Sequence, residues 1–454
     1  FFIFWFLIFW LAMMEGGQGS LVGLHPIDKN RYAHSHKITA KCTHVAHKGD
    51  NLERFIIGRQ FLVVLVVFVI NLMGSAADGA SVLNLPEWAN ELFLASGLAM
   101  ILITIVLGQL TAQVNSANCM LDFINTYFML FTVYVSLAIE MSGLLHSVYL
   151  VQLLFSKITG EPVQSNEAPR STLMSILFWL RVLVSIAVLG FSFAVTLSAV
   201  VNKQTTMWEG VPVYVSIILF FALMCFVGIM EGMQIALFAV VNTPEEDLVQ
   251  HSRAYESCQL AFAGSNLQSF LIGRQICVTI CMFLIARITT LDIGENDENI
   301  FGVSDGMQVV FDTGLLGAVI TTIVASLCWR IVASSFPVSF LSNPLIYAMI
   351  RLCLWFEGSG LCSAAWVIAR YQKVYIGLQP DEIYLNDAER HSAAPHTSRD
   401  KDIVLTMNTI KYIYSIALLT LSLAVVMTAM FTKQTSAAAM NIPPAAAFFI
   451  FWFL

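Results

Sequence analysis

Apolar runs of about twenty residues or more recur ten times along the chain. They lie at about 1–24, 55–74, 92–112, 119–155, 171–201, 211–242, 269–290, 307–332, 338–370 and 403–432. About 20 mostly apolar residues suffice for a helix that crosses a bilayer. In lipid the backbone has no water to bond to, so segments this apolar must be helical. The pattern therefore predicts an all-α, polytopic membrane protein of about ten transmembrane helices. The runs at 119–155 and 338–370 exceed the required length and are expected to extend beyond the bilayer. Two linkers, 25–54 and 371–402, are longer and polar. The second carries Pro380, Asp381, Glu382 and a charged stretch from Asp387 to Asp402, and reads as a solvated loop.

The pattern repeats. Glu15 aligns with Glu231, Cys42 with Cys258, and Ser96-Gly97-Leu98 with Thr313-Gly314-Leu315. Glu140-Met141-Ser142-Gly143-Leu144 aligns with Glu357-Gly358-Ser359-Gly360-Leu361, and the offset stays within 215–217 throughout. The run ending at Lys203-Gln204-Thr205 also resembles the one ending at Lys433-Gln434-Thr435. Each half then holds five spans, 1–201 in the first and 202–432 in the second. An odd number of crossings per repeat reverses the second copy, giving two inverted five-helix repeats, a plan that many secondary transporters use.

Charge bears on sidedness. With loop 25–54 in the cytoplasm and strict alternation, 13 basic residues fall inside and 5 outside, the bias expected of cytoplasmic loops. On this assignment 371–402 is cytoplasmic and 243–268, with Glu245, Glu246 and Asp247, is external. Loop 287–306 is acidic although it falls inside. The N-terminus lacks the charged and small-residue features of a signal peptide. Phe1 to Leu7 reappears as Phe448 to Leu454 after 447 residues. The segment 433–454 then reads as the start of a further repeat, so the chain resembles one period of a tandem array. The alternative is a joining of two ends of one gene during assembly.

Composition agrees with a membrane protein. The chain is 57% hydrophobic and 12% charged, where a soluble domain carries about a quarter charged residues. A net charge of −7 with no basic domain gives no footprint for nucleic acid. The nine cysteines form no disulfide framework.

Two motifs carry the candidate chemistry, and each occurs twice. Glu15-Gly16-Gly17-Gln18 precedes Gly58-Arg59-Gln60, and Glu231-Gly232-Met233-Gln234 precedes Gly273-Arg274-Gln275. Glutamate and glutamine three apart share one helix face. The glycine between them leaves that face open and makes a helix break possible. A carboxylate deep in a span requires a partner, and Arg59 and Arg274 are the available cations. Glu15 is expected to pair with Arg59 and Glu231 with Arg274, giving an electrically neutral site. Gln18, Gln60, Gln234 and Gln275 each bring a carbonyl acceptor and an amide donor. Such a set suits a small neutral solute covered in hydroxyl groups; chemistry alone would admit glycerol or boric acid, and also urea through its amide groups. The bland reading is interhelical ion pairs and amide glue.

Glu140 and Glu357 are candidates for the pathway or for a sodium ion, or else structural carboxylates. Cys119-Met120-Leu121-Asp122 is not repeated, since Phe336 to Ser339 stands at its matched position. Two ligands do not make a zinc site, so an interfacial cap is the plainer reading and no metal site is assigned. His34, His36, His44 and His47 share the first polar loop without metal-ligand spacing; a basic loop beside anionic lipid is expected there. No nucleophile–base pair, phosphate-binding loop or organic cofactor motif is present, which points away from an enzyme.

The doubled Glu-Gly-x-Gln and Gly-Arg-Gln motifs across ten spans, with Cys119-Met120-Leu121-Asp122, resemble the diatom silicon transporter family. The resemblance covers almost the whole chain. It implies a sodium-coupled silicic acid symporter working by alternating access, with the doubled motifs holding the solute. It places the protein in the plasma membrane or in the membranes of silica-depositing vesicles. A passive channel for small polyhydroxylated solutes is the competing reading. The family's first Glu-Gly-x-Gln lies on its second span and here on the first; the charged C-terminal tail of the family is not seen.

Overall fold

The computed structural model describes residues 1–77, 79–159, 171–208, 210–240, 248–264, 266–293, 299–381 and 398–435. The acidic residues expected in loop 243–268, residues 382–397 of loop 371–402 and the repeated Phe448–Leu454 end lie outside the described residues.

Helix dominates. The first half contributes α1 (Phe2–Gly23), α2 (Lys37–Ala46), α3 (Asn51–Gly74), α4 (Leu98–Ala117), α5 (Met120–Phe123), α6 (Tyr127–Met141), α7 (Val148–Thr159) and α8 (Thr172–Val201). The second half contributes α9 (Val213–Val240), α10 (Ser252–Phe262), α11 (Asn266–Thr289), α12 (Leu315–Ser335), α13 (Pro337–Leu341), α14 (Pro344–Gly358), α15 (Ala364–Ile376) and α16 (Ser398–Phe431). Among the described residues, eight helices are long and apolar enough to cross a membrane: α1, α3, α4, α8, α9, α11, α12 and α16. The protein is an all-α polytopic membrane protein. In α4 and α12 a buried π-helical stretch occupies matched positions, Thr104–Leu110 and Thr321–Leu327. Such insertions re-aim the side chains that follow.

The two longest predicted spans are not single helices. The run 119–155 resolves into α5, α6 and α7, and 338–370 into α13, α14 and α15. The breaks fall at Ser-Gly-Leu. Gly143 and Gly360 adopt φ of 88° and 78°, where a side chain would be strained. Ser142 and Ser359 accept a hydrogen bond from the backbone N–H of Leu144 and Leu361. Ser185 then donates to the Leu144 carbonyl and accepts from the Ser147 N–H. Ser415 does the same for Leu361 and Ala364. Both serines sit near the middle of long helices, α8 of 30 residues and α16 of 34. At 15 residues α6 is about 22 Å long, short of the roughly 30 Å hydrocarbon core.

The chain forms two compact units. The first comprises Phe1–Ile56, Ala76–Leu137 and Ser359–Gln434, and the second Ile57–Ser75, Ala138–Gly358 and Thr435–Leu454. In the first, α1 packs along α4 and onto α5, while α16 and α15 lie against the two ends of α4. In the second, α9 packs along α12 and onto α13, while α8 and α7 lie against the two ends of α12. Each unit thus contains helices from both sequence halves.

Within the second unit, α3 and α11 run in the same direction. The charge of Arg59 on α3 acts on Glu231, as does that of Arg274 on α11. About 18 Å further along each helix, at 1.5 Å per residue, Asn71, Leu72 and Ser75 line one small cavity with Arg287 and Thr290. These helices occupy matched positions in the two halves, so the expectation of opposite orientation does not describe this pair.

Helix α11 approaches α14 so closely that a Cβ on Gly273 would collide with the backbone carbonyl of Cys353. On α9, a Cβ at Gly232 would instead meet the ring of Phe340. A ring can rotate and a backbone cannot. Gly273→Ala is therefore expected to cost at least the roughly 1–3 kcal/mol typical of overpacking, and more than Gly232→Ala. Thermal unfolding of the two variants in detergent checks the order; equal midpoints would refute it.

Candidate functional site

The Glu-Gly-x-Gln motifs lie within unbroken helices, so no helix break occurs there. Glu15 to Gln18 are on α1 and Glu231 to Gln234 on α9. The open face of the motif glycine is filled by an aromatic ring, Phe123 of α5 over Gly16 and Phe340 of α13 over Gly232. Those phenylalanines occupy matched positions.

Around Glu231 the second unit builds a charged cluster. Arg274 Nη1 lies 3.3 Å from Glu231 Oε1. Arg330 Nε donates to Oε2 at 2.9 Å, and Arg330 Nη2 donates to the same oxygen. Glu231 is 3% exposed, Arg274 5% and Arg330 8%. The expected Glu231–Arg274 contact is present, and a second arginine joins it. Arg330 is one of the 5 basic residues counted outside, and Arg287 one of the 13 counted inside. Both lie within helices, and removing one from each side leaves the charge bias in place. At the repeat offset of 217, Arg330 stands opposite Gln113. In the first unit Gln113 Nε2 donates to Glu15 Oε2 at 3.0 Å. The two motif glutamates thus meet the same helix position, once as a neutral amide and once as a cation.

A third ionisable side chain, Arg330, thus joins the expected Glu231–Arg274 pair. The Gly-Arg-Gln motifs also differ from expectation. Arg59 Nη2 donates to Gln60 Oε1 and Arg274 Nη2 to Gln275 Oε1, both at 2.9 Å. The glutamine carbonyls are held by their own arginines. Gln18 and Gln234 are half-buried. Gly58, Arg59, Gln60, Glu231, Gly232, Gln234, Gly273, Arg274 and Gln275 belong to the second unit, and Glu15, Gly16 and Gln18 to the first.

Glu140 closes α6 at the first helix break. Tyr149 donates to its Oε1 at 2.8 Å, and His146 Nε2 lies 3.8 Å away. Glu357, at the matched break, is half-buried.

Cys119 to Asp122 acts as a docking point in the first unit. The backbone N–H groups of Met120 and Leu121 donate to Asp381 at 2.8 and 2.9 Å. Asp122 accepts from His36 Nε2 at 2.9 Å and from the Gln379 N–H at 2.7 Å. Burial pushes the Asp381 carboxyl up, against the pull of those two N–H groups. The first polar loop is folded down beside it. Tyr32, Cys42 and Phe55 share a core with Leu121 and Ile124, and His47 bonds the Leu21 carbonyl. His34 and His44 remain exposed.

A family model described as silicon transporter matches residues 1–404. No curated protein matches the chain, and no solved structure does. The match runs through both copies of the paired motif and through both broken spans, and on that length of agreement the chain belongs to the silicon transporter family, membrane transporters of silicic acid rather than enzymes.

Proposed function

We propose that the chain moves silicic acid by sodium-coupled symport and alternating access, with the paired motifs holding the solute. The supporting observation is the buried Glu231 cluster inside spanning helices, with the half-buried Gln234 one turn away. Ionisable groups at such depth mark transport pathways. A charge cluster whose partners can exchange favours a carrier over the competing passive channel. Gln18, Gln60, Gln234 and Gln275 donate to the solute's oxygens. Sodium is placed at the helix breaks, where Glu140 and Glu357 meet the carbonyl ends of α6 and α14. The plasma membrane is the proposed location, silica-depositing vesicles the alternative.

The breaks also revise the expected plan. If α6–α7 and α14–α15 each turn back at mid-depth, each half crosses an even number of times, and the halves share one orientation. That agrees with the direction shared by α3 and α11. Cys42 and Cys258 are poor reporters of sidedness, because burial pushes their thiols up to about 12 and about 11. The exposed, matched Lys37 and Arg253 serve better. With all native cysteines replaced, Lys37→Cys and Arg253→Cys are expected to react with an impermeant thiol reagent from the same side. Labelling from opposite sides would restore the inverted plan.

Gln234→Leu removes a donor and an acceptor from a half-buried position. It is expected to lose most silicic acid uptake into vesicles while keeping normal expression and melting. Wild-type uptake by that variant would remove Gln234 from the site. Omitting the sodium gradient in the same assay separates symport from passive flow.

Glu231→Gln strands two cations, whereas loss of either arginine leaves the carboxylate one partner. Stranding a buried charge costs about 3–5 kcal/mol. Glu231→Gln is expected to destabilise more than Arg274→Gln or Arg330→Gln. Equal losses in chemical unfolding would show that the three do not form one network.

A further inference from the structure

Three sulfur atoms meet beside Glu231, each from a different helix of the second unit. Cys353 Sγ of α14 lies 3.6 Å from Met230 Sδ of α9 and is hydrogen-bonded to the Cys277 thiol of α11. The backbone explains the meeting. Gly273 brings α11 against α14 at Cys353, and Cys277 stands one turn further along that face. Met230 and Cys353 are fully buried and Cys277 is 4% exposed. A lone thiol in an apolar span is usually a packing residue; here two thiols and a thioether converge.

Two sulfur ligands at about 2.3 Å from one ion stand roughly 3.8–4.0 Å apart in tetrahedral or trigonal geometry. The observed 3.6 Å needs only a small adjustment to reach that separation. The donor set also selects. Thiolate and thioether are soft ligands that take Cu(I)-class ions, whereas magnesium and calcium take oxygen. Glu231, the carboxylate next to Met230, is held by Arg274 and Arg330; Glu357 stands one turn beyond Cys353 on α14. Arg274 is near enough for its charge to act on both thiols, and a neighbouring cation favours thiolate, the form that ligates.

We propose that Met230, Cys277 and Cys353 form a site for a soft monovalent metal ion of the Cu(I) class. Two S–H bonds break, two metal–thiolate bonds form, the Met230 sulfur donates a lone pair, and both protons pass to solvent; no electron is transferred. The ion replaces the thiol hydrogens that lie between the sulfurs. The half-buried Gln234, one turn along α9 from Met230, offers the approach. Bound there, the ion ties α9, α11 and α14 together. The site stands whether or not the Glu231 cluster holds the solute.

The test uses silver nitrate on the purified, full-length protein in chloride-free detergent buffer. Excess glutathione strips silver from isolated thiols such as the exposed Cys225. The wild type is expected to retain one silver ion per chain after desalting, and to melt at a higher temperature with it. Cys277→Ala and Cys353→Ala are expected to retain none, while Cys281→Ala, one turn beyond the site, keeps the ion. Met230→Leu conserves volume. It is expected to weaken retention about tenfold or more, since even outer partners of a metal site are worth that much. No silver on the wild type, or retention unchanged in Met230→Leu or in Cys353→Ala, would overturn the proposal. Met230→Leu decides the question even if the cysteine variants do not fold.

Discussion

A carboxylate inside a membrane-spanning helix must be paired, and Glu231 is the point from which much of the second unit follows. Its partners come from two other helices, α11 and α12, so three helix faces must converge on one residue. Convergence needs backbones that approach closely. Gly273 lets α11 sit against α14 with nothing between them, and Gly232 accepts the Phe340 ring where a side chain would stand. The glycines of both motifs are thus explained by packing, and the charged residues by pairing. Function uses a frame that electrostatics already demands.

The same frame exists in the first unit with one substitution, and that substitution sets the difference between them. Glu15 meets Gln113 where Glu231 meets Arg330. An amide satisfies a carboxylate's lone pairs without cancelling its charge. A guanidinium does both and brings further donors. Two sites built on one plan therefore differ in the partner that one helix position supplies.

Hydropathy made most of the helices legible. Six of the ten predicted spans match helices almost residue for residue, because an apolar run of that length has one stable form in lipid. The breaks at Gly143 and Gly360 stayed hidden because Ser-Gly-Leu interrupts the helix without interrupting the hydrophobicity. Their polar groups are met by Ser185 and Ser415, some forty to fifty residues away. The doubled motifs could be read as a pair of charges, since Glu and Arg stand out in an apolar chain. Arg330 could not be read the same way. Its partner in the first half is Gln113, so the repeat hides the charge rather than displaying it. The carbonyls of Gln60 and Gln275 were likewise assigned to the solute, because nothing in a sequence shows that neighbouring side chains satisfy each other.

The breaks bear on orientation as well as on length. Counting apolar runs gives five crossings per half and so opposite orientations. That count assumes that each run crosses once. A run whose junction is tied to the midpoint of a neighbouring helix need not cross at all. Ser185 and Ser415 fix both junctions at about half the length of α8 and α16. Two short helices of 15 and 12 residues each reach only part of the way through the hydrocarbon core, at about 1.5 Å per residue. A turn at that point changes the parity of the whole half. The parallel course of α3 and α11 is what an even count requires, so one pair of glycine-centred breaks accounts for both the lengths and the direction.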